Sequence, residues 1–421
     1  MFKKIFLTLI PLAVSLSIFS IPLSASSAPL TVTPEQFGAD GFDSRPDTEA
    51  MRKAFNSGAH TVFLKEGSKY IIDKRITINQ SIRIVSGKRK ASIIQHSDKE
   101  GILYFKNAST VYTKAAQKIV KGSSYISVQS SKGIKQGDIV ELKSSKLWKW
   151  DNRNKLTKGE LHTVKSVKGN KVYFSTKTDD AYTTGKDETV KVSTYSPRKI
   201  VLENVDFTYA KPSNTTAIII DPSKSSRFQN ISIKNSKLTG LKLIKNVNAE
   251  VSGSSFDLGT TKDVSTGYGI QDYGGIKTKI VKSTFERVRR GVDFSGDIPS
   301  RYGLVDSSKA FGPPKGSLAS GNSGFGTHST AENIVFKNNY VKNFDYHFVS
   351  RGDKITFKNN TGTGITKAFM HTNYGDHITV ANNTYISENK SRLEYFILRS
   401  NSFKGSIKHY GNKGLYQTYL R

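Results

Sequence analysis

Seven short segments of the sequence share one pattern, which constrains the fold more than any other feature. They alternate apolar and polar residues and then place Asn, Ser or Gly where a strand should turn. A period of two residues indicates strands and excludes helical repeats. The segments are residues 199–207, 230–238, 249–256, 279–285, 333–341, 354–361 and 377–385, and the turn residues expected in equivalent places are Asn204, Asn235, Ser283, Asn338, Asn359 and Asn382.

The spacing of these segments favours a stacked solenoid over a β-sandwich. The last three turn residues are 21 and 23 residues apart, which is the length of one coil of a β-helix. Each segment is too short to bury its own apolar face, so neighbouring coils must stack to form a continuous core. We therefore predict an all-β parallel β-helix, with larger gaps between segments occupied by inserted loops or further coils.

The region from residue 33 to residue 72 predicts a cap at one end of this solenoid. Asp47 and Thr48 suit the N-terminus of a short amphipathic helix that Gly58 ends, and "TVFL" and "EGSKYII" indicate two strands. This region resembles the N-terminal signature of pectate-lyase-like right-handed β-helix proteins. The matching elements are Phe37-Gly38-Ala39, Gly41 to Asp43, Asp47-Thr48 and Gly67-Ser68-Lys69-Tyr70. The resemblance implies a right-handed parallel β-helix whose open end is plugged by the helix.

Four stretches of the chain are predicted to differ in structure or fate. Residues 1–28 have a basic start, an apolar run and a small-residue tail, which is typical of a cleaved secretory signal peptide, although the run is nearly long enough for an anchor. Residues 29–115 are expected to form the cap and first coils. Residues 116–197 are predicted to form a small inserted antiparallel β module, and residues 198–421 are predicted to form the main β-helix.

The charge balance points to an anionic partner. Lys and Arg total 64 against 34 acidic residues, and the net charge is +30. Such an excess attracts polyanions, which outside a cell include uronic-acid polysaccharides and teichoic acids, although a basic surface can also be merely tolerated. No nucleic-acid motif accompanies the charge, and no membrane association is expected after signal cleavage. The chain has no cysteine, so the secreted protein is expected to be held together by its core alone. No coiled-coil or trimerisation segment is evident in the sequence, which favours a monomer.

Ionisable residues recur in the strand that follows each turn in the C-terminal half. Stacked on consecutive coils, they would form one constellation along a groove that a long polymer can occupy. The catalytic candidates are Asp272, Asp293, His328, His347 and His371, and the substrate-binding candidates are Tyr268, Arg290, Arg351, Tyr374 and Arg399, with Trp148 and Trp150 of the inserted module. Turn capping for the aspartates and core packing for the tryptophans are the structural alternatives.

Two reactions fit these residue types. If Asp272 and Asp293 stack on adjacent coils, their carboxyl groups would be about 5 Å apart, as in a retaining glycosidase. Alternatively, Arg290 or Arg351 would neutralise a uronate while His or Tyr groups transfer protons in a β-elimination. A teichoic-acid-type polymer would also suit Arg and His, with the Asp pair holding a cation such as Ca²⁺. No cofactor and no dedicated metal-ligand set is predicted.

His328 lies in the segment "SGFGTHS", between residues 297–322, predicted to be a long groove-wall loop, and the next strand. The segment resembles the Gly-Phe-Asp-Pro-His-Asp motif of β-helical mannuronan epimerases at Gly324, Phe325 and His328, but Gly326 and Ser329 replace the two aspartates. The motifs of polygalacturonase-like hydrolases and calcium pectate lyases are missing. The overall pattern resembles phage tailspike depolymerases and their secreted bacterial relatives.

Together these observations predict a secreted enzyme that degrades an anionic polysaccharide, with elimination favoured over hydrolysis. A glycoside hydrolase or teichoic-acid depolymerase is the alternative of the same class. A non-catalytic protein that binds a cell wall or a polyanion through its basic surface is the alternative of another class.

Overall fold

The computed structural model describes residues 30–149, 155–259, 265–312, 321–364, 367–388 and 392–421. The predicted signal peptide and Trp150 lie outside these residues. Three long parallel sheets wind along one axis, so the predicted parallel β-helix is confirmed. Strands are numbered in chain order below, and the sheets are called A, B and C in the order in which the chain visits them within a coil.

Sheet A has twelve strands, sheet B has ten and sheet C has eleven. Sheet A contains β1 (Thr31–Val32), β2 (Thr61–Leu64), β5 (Ile82–Ser86), β14 (Ile200–Glu203), β17 (Arg227–Gln229), β20 (Glu250–Ser252), β23 (Lys279–Val281), β27 (Leu304–Asp306), β31 (Val335–Lys337), β34 (Thr356–Lys358), β37 (Ile378–Ala381) and β40 (Ile407–Tyr410). Sheet B contains β3 (Lys69–Ile72), β6 (Ala91–Gln95), β15 (Val205–Ser213), β18 (Ser232–Ser236), β21 (Ser255–Asp257), β24 (Thr284–Glu286), β28 (Lys309–Phe311), β32 (Tyr340–Lys342), β35 (Thr361–Thr363) and β38 (Thr384–Ile386). Sheet C contains β4 (Ile76–Ile78), β7 (Leu103–Phe105), β16 (Thr216–Ile220), β19 (Thr239–Ile244), β22 (Tyr268–Tyr273), β25 (Arg290–Ser295), β29 (Ser323–Thr327), β33 (Tyr346–Ser350), β36 (Ala368–Thr372), β39 (Leu393–Arg399) and β41 (Tyr416–Leu420).

The core is a set of apolar stacks that run from coil to coil. In sheet A the middle residue of each short strand points inward, as Phe336 of β31 and Phe357 of β34 do in direct register. Their rings stack with centroids 5.1 Å apart. Burying one such side chain contributes about 1.5–3 kcal/mol, which explains why the strands can be only three residues long: each is stabilised by the coils on both sides.

The turns from sheet A to sheet B combine left-handed residues with a stack of buried asparagines. Asn338, Asn359 and Asn382 join sheet A to sheet B with φ of 57°, 57° and 54°, a region that Asn tolerates better than most residues. The following asparagines, Asn339 and Asn360, are buried, and each donates its side-chain amide to the next coil at 2.9–3.0 Å. The same amides also donate to backbone carbonyls of the preceding coil, Val305 and Phe336, at 3.0 Å.

Two of the turn residues expected to be equivalent are not. Asn235 lies at the end of β18, on the other side of sheet B, although its φ is also left-handed at 62°. At the coil of Ser283 the left-handed residue is Lys282, with φ of 50°. Ser283 instead takes the buried position that Asn339 occupies later, where it bonds backbone atoms of its own turn and Ser254.

The N-terminal cap forms as predicted. A 3₁₀-helix at Pro34–Phe37 and the helix α1 at Thr48–Phe55 pack on the first coil, with Met51, Ala54 and Phe55 fully buried. The Asp47 carboxylate accepts hydrogen bonds from the backbone amides of Asp40 (2.8 Å) and Ile71 (3.1 Å). This carboxylate therefore joins the entering chain to β3 and fixes the helix over the open end of the core.

A six-stranded antiparallel sheet leaves the solenoid after its first coils. It comprises β8 (Val111–Lys114), β9 (Tyr125–Ser127), β10 (Ile139–Leu147), β11 (Thr157–Lys168), β12 (Lys171–Phe174) and β13 (Val190–Tyr195), in the order β8-β13-β10-β11-β12-β9. It has its own apolar core and is called the antiparallel module here. Fully buried Arg301 of the solenoid forms ion pairs with Asp180 of the module at 2.6 Å and with Glu332 at 3.0 Å. The module is thus attached to the side of the solenoid next to β25 and β29.

The prediction of a long loop at residues 297–322 is largely wrong. Most of its described part is a regular coil with β27 and β28 and a short strand β26 (Ser300–Arg301), which pairs with β30 (Ala331–Glu332). Val305 and Ala310 fill the core positions of this coil. The alternation is weak here, because each strand has one core residue, Val305 or Ala310, and an apolar neighbour beside it, Leu304 or Phe311. No helix in the described residues is long and apolar enough to cross a bilayer.

Candidate functional site

The candidate site lies on the outward face of sheet C, where β22, β25 and β29 are neighbours. Gln271 of β22 is in register with Asp293 of β25, which is in register with Gly326 of β29. These residues share the face that is directed away from the core. His328 follows β29 directly, and its backbone amide bonds the carbonyl of Phe294 at 2.9 Å. The parallel register therefore brings His328 beside Asp293, although 34 residues separate them in the chain.

His328 and Asp293 form a hydrogen-bonded pair. Nδ1 of His328 lies 2.8 and 2.9 Å from the two carboxylate oxygens of Asp293. Asp293 is fully buried, whereas the His328 side chain is 23% exposed. The Arg290 guanidinium donates to Asp293 Oδ1 at 2.6 Å and to Ser323 Oγ at 3.0 Å. A carboxylate fixed in this way holds the imidazole in one orientation and leaves Nε2 as the ring nitrogen for a ligand.

The charges around this pair favour an ionised Asp293 beside a neutral His328. Burial opposes the charge on Asp293, but His328 and the Arg290 guanidinium outweigh it and hold the pKa of Asp293 far below its usual value. Burial lowers the pKa of His328, the Asp293 carboxylate raises it, and Arg290 and Arg351 lower it again, so that the pKa remains below the ordinary value. A neutral imidazole at neutral pH is able to accept a proton.

Three guanidinium groups surround the single Asp293 carboxylate. Arg289, Arg290 and Arg351 all interact electrostatically with Asp293 and with one another. Burial and the neighbouring Arg290 lower the pKa of Arg351 to about 10, so Arg351 still carries its charge at neutral pH. Its Nε is buried and makes no hydrogen bond in the described residues. Such an excess of positive charge is suited to an anionic group.

Tyr268 stands between these cations and His328. The guanidinium of Arg289 lies 4.7 Å from the centroid of the Tyr268 ring, and the His328 ring centroid lies 6.3 Å from it. Arg289 is anchored by its Nε, which donates to the carbonyl of Thr266 at 2.7 Å. Among the described residues, the buried Nη2 of this arginine has no hydrogen-bond partner.

An open groove of about 650 Å³ lies beside this cluster, of which Tyr268 and His328 line the groove itself. Tyr268, Gln271 and His328 line its floor, and Lys155 and Leu156 of the antiparallel module form part of its wall. Its remaining lining residues are Thr216, Leu238, Thr239, Lys242, Ser265, Tyr273, Ser295, Gly296 and Asp297. The volume and open shape suit several linked sugar units.

The predicted stacking of Asp272 on Asp293 is wrong. Asp272 is in register with Phe294 on β25, so it points into the solenoid and is fully buried. Its Oδ1 accepts hydrogen bonds from Ser300 Oγ at 2.6 Å and the Gly275 amide at 2.9 Å. Burial raises its pKa. The two aspartates therefore lie on opposite faces of sheet C, and Asp272 has the turn-stabilising role weighed as its alternative.

The prediction that His347 faces the groove is also wrong. His347 is fully buried, its ring packs against Phe369 with centroids 5.4 Å apart, and Nε2 lies 3.0 Å from the carbonyl of Thr363. Burial lowers its pKa to about 4. On the neighbouring strands the same position is held by Gly291 and Gly324, whose missing side chains would also point inward. An irregularity at the start of these strands places two consecutive residues inside, which breaks the assumed alternation.

The remaining candidates are spread along the solenoid. Arg290 is 1% exposed and bound to Asp293. The prediction that it contacts substrate directly is therefore wrong. His371 lies on the outward face three strands beyond β25, about 14 Å along the axis. Its ring stacks on Tyr346 at 4.5 Å, and burial and Arg351 lower its pKa to about 4.

Tyr374 and Trp148 are not groove residues in the described structure. Tyr374 is half-buried in the turn after β36, and its carbonyl accepts a hydrogen bond from Thr372 at 3.1 Å. Trp148 is buried, and its indole nitrogen donates to the carbonyl of Ser329 at 2.7 Å. The predicted sugar-stacking role of Trp148 is therefore wrong. The indole instead fastens the module to the residue that follows His328.

Arg399 lies farther still from Asp293. It is exposed at the end of β39, four strands beyond β25 and about 19 Å away along the axis.

Sequence reasoning missed Arg289, Gln271 and Lys242. Arg289 directly precedes Arg290 in the sequence, and the prediction included only Arg290. Gln271 and Lys242 occupy the same outward line as Asp293 on the preceding strands. Aligning the strands on their shared glycines, Gly240, Gly269 and Gly291, would have identified both.

The geometry defines the protein as a parallel β-helix with a polymer-sized groove on sheet C. No family model matches the chain. The capsule K1-specific depolymerase of Klebsiella phage K64-1 is 23% identical over 322 residues, which are 71% of this chain and 34% of that relative. The chain thus spans about a third of the relative's length.

Two solved tailspikes share the fold. The tailspike gp61 of Pseudomonas phage phi297 has a TM-score of 0.71 at 16% identity, over 93% of this chain and 77% of the tailspike. The Gp54 tailspike of Acinetobacter baumannii bacteriophage AP22, solved in complex with a capsular saccharide, has a TM-score of 0.68 at 17% identity, over 92% and 70% of the two chains. The chain is therefore similar to phage tailspikes in fold.

Proposed function

We propose that this protein is an exported depolymerase that cleaves an anionic, uronate-containing polysaccharide by β-elimination. The observation that carries the proposal is the His328–Asp293 pair beside a groove, with Arg289 and Arg351 as neighbouring cations. The likeness to a capsule depolymerase and to a tailspike solved with a capsular saccharide supports a polysaccharide substrate. The net charge of +30 favours an acidic one.

In the proposed reaction, Arg351 binds the uronate carboxylate and disperses the charge that develops on it. His328 Nε2 removes the C5 proton, and the electron pair of that C–H bond becomes the C4–C5 double bond. The C4–O bond breaks, and the leaving oxygen takes a proton from the Tyr268 hydroxyl. The products are an unsaturated uronate and a new reducing end. Asp293 stabilises the protonated His328 through the Nδ1 hydrogen bond.

Hydrolysis by a carboxyl pair is less well supported. A glycosidase of that kind needs two carboxyl groups flanking the scissile bond. Among the groove-lining residues in the described part of the chain, Asp297 is the one carboxylate. It forms ion pairs with Lys143 at 2.5 Å and Lys245 at 3.5 Å, while Asp272 lies inside the solenoid. Asp293 is covered by its bonds to His328 and Arg290.

The proposal is tested by incubating the protein with polygalacturonate, alginate and glycosaminoglycans. Both the ultraviolet absorbance of unsaturated uronates and the number of reducing ends should rise together. Reducing ends without that absorbance would replace elimination with hydrolysis. The variant His328→Gln should abolish both signals, and His60→Gln, which changes an exposed histidine on the first coils, serves as the control.

A second candidate function is binding of a polyanion without cleavage. The basic surface favours it, because positive charge is spread along the whole chain. Teichoic acid is then a ligand to include, and cell-wall association would follow. Saturable, salt-sensitive binding to teichoic acid with no cleavage of any polymer would support this alternative over the depolymerase.

A further inference from the structure

A row of one arginine and three carboxylates lies at the turn that follows sheet C, outside the groove. Arg301, Glu332, Asp353 and Asp376 occupy equivalent places on four consecutive coils and pair in parallel. Glu332 is neutralised by Arg301 at 3.0 Å and by Lys354 at 2.7 Å. The next two carboxylates, Asp353 and Asp376, each direct one oxygen toward the same histidine, His377.

Asp353 and Asp376 converge on His377. Nδ1 of His377 lies 3.5 Å from Asp353 Oδ1 and 3.2 Å from Asp376 Oδ2. The three atoms all lie within 4.8 Å of one another. Asp376 is oriented by its other oxygen, Oδ1, which accepts hydrogen bonds from the amide and hydroxyl of Ser406 at 2.8 and 2.7 Å. Its Oδ2 is thereby aimed at the histidine.

Asp353 supplies an independent indication of a ligand. Its side chain is 2% exposed, and Oδ2 pairs with Lys149 Nζ of the antiparallel module at 2.5 Å. The buried Oδ1 accepts no hydrogen bond in the described residues and points toward His377. Leaving a buried carboxylate oxygen without a hydrogen-bond donor is unfavourable. A cation held between this oxygen and His377 would remove that cost.

We propose that Asp353 Oδ1, Asp376 Oδ2 and His377 Nδ1 bind a divalent transition-metal ion of the Zn²⁺ type. Tetrahedral ligands at about 2.0–2.2 Å from Zn²⁺ are roughly 3.3–3.6 Å apart, close to the two distances that His377 makes. One imidazole with two carboxylates suits Zn²⁺, whereas Ca²⁺ prefers six to eight oxygen ligands. Water would complete the coordination, because His377 is 65% exposed.

The bound ion would fasten two consecutive coils at one turn. Asp353 comes two residues after Arg351, so the ion would stabilise the turn next to this arginine. Through Lys149, Asp353 also joins the turn to the antiparallel module. The site does not depend on the proposed lyase reaction, because none of its three ligands lines the groove.

Isothermal titration of chelator-treated full-length protein with ZnCl₂ tests the proposal. We expect saturable binding of one Zn²⁺ per chain, with Ca²⁺ and Mg²⁺ failing to compete at equal concentration. His377→Asn should weaken Zn²⁺ binding at least about ten-fold. This change suits the backbone, since Asn248 and Asn333 occupy the same turn position of other coils with φ of 55° and 56°, against 54° at His377.

Controls separate this site from adventitious histidine binding. His60→Asn removes an exposed imidazole elsewhere and should bind Zn²⁺ like the unmodified protein. Zn²⁺ should raise the thermal midpoint of the unmodified protein and of His60→Asn, but not that of His377→Asn. Asp376→Asn should behave like His377→Asn. Absent Zn²⁺ binding, or equal binding by His377→Asn and the unmodified protein, would overturn the proposal.

Discussion

His328 and His347 lie on neighbouring coils of the same sheet, yet their surroundings are opposite. His328 faces the groove, with Nδ1 held by Asp293 and part of its ring exposed. His347 faces the core, with its ring against Phe369 and Nε2 beside the carbonyl of Thr363. Asp293 and Asp272 repeat the contrast one and two coils earlier. The difference shows that a single position along a strand decides whether a side chain faces the groove or the core.

The largest effect should follow from changing the outward histidine. Replacing His328 by Gln removes the proposed base, and general-base catalysis contributes about 10²–10⁴-fold in rate. We expect initial rates of unsaturated-uronate formation to fall by that factor, with the thermal midpoint almost unchanged because the side chain is partly exposed. A large loss of stability with normal activity of the folded fraction would reverse the proposed roles of the two histidines.

The pH profile adds a separate test of the outward pair. Because the pKa of His328 is lowered below its ordinary value of about 6.5, the rate should rise with pH, with the midpoint of the acidic limb below pH 6.5. Asp293 raises that pKa, so Asp293→Asn should move the acidic limb to lower pH while reducing the plateau. A limb that moves to higher pH would contradict the pairing.

The inward histidine should instead control stability. His347→Ala leaves a cavity beside Phe369, and we expect the free energy of unfolding to fall by about 2–4 kcal/mol. The folded-state pKa of His347 is about 4, below its unfolded value. Its contribution is therefore present above pH 6.5 and is lost as the pH falls toward 4. Urea denaturation should show the gap between the variant and the unmodified protein narrowing over that window.

Arg351 should affect binding of the anionic group. Removing a charged hydrogen-bond donor costs about 1.5–3 kcal/mol, or roughly 10–150-fold, so Arg351→Ala should lower kcat/KM by that amount on a uronate polymer. The loss should be much smaller on a methyl-esterified polymer, which has no carboxylate to neutralise. Arg399→Ala is the matched comparison, because Arg399 is exposed and far from Asp293, and it should have the weaker effect. Equal losses for both variants would indicate general charge attraction.

Much of the architecture could be predicted from the sequence, because period-two alternation and left-handed Asn turns are local properties. The assignment of faces could not. At the start of several sheet C strands a glycine and the next apolar residue both point inward, as Gly269 with Ile270 and Gly324 with Phe325 do. Strict alternation therefore placed His347 on the wrong face. Its alignment with Gly324 becomes visible only when the coils are in register.

The smallest effect is expected from changing the inward aspartate, Asp272. This change distinguishes the cost of burying its charge from the contribution of its hydrogen bonds. Asp272→Asn retains an acceptor for Ser300 and the Gly275 amide but removes the buried charge. Because the folded-state pKa of Asp272 is raised, its contribution to stability is full below its unfolded pKa of about 3.9 and is lost as the pH rises through the folded value. The Asn side chain does not ionise, so the variant does not lose this contribution as the pH rises. At pH 7 its free energy of unfolding should therefore equal that of the unmodified protein or exceed it by up to about 1 kcal/mol. Urea denaturation at pH 7 and pH 4 should show this advantage shrinking on acidification. A variant that is strongly destabilised at pH 7 would mean that the charge itself supports the turn, and the contrast between Asp272 and Asp293 would then concern only their access to substrate.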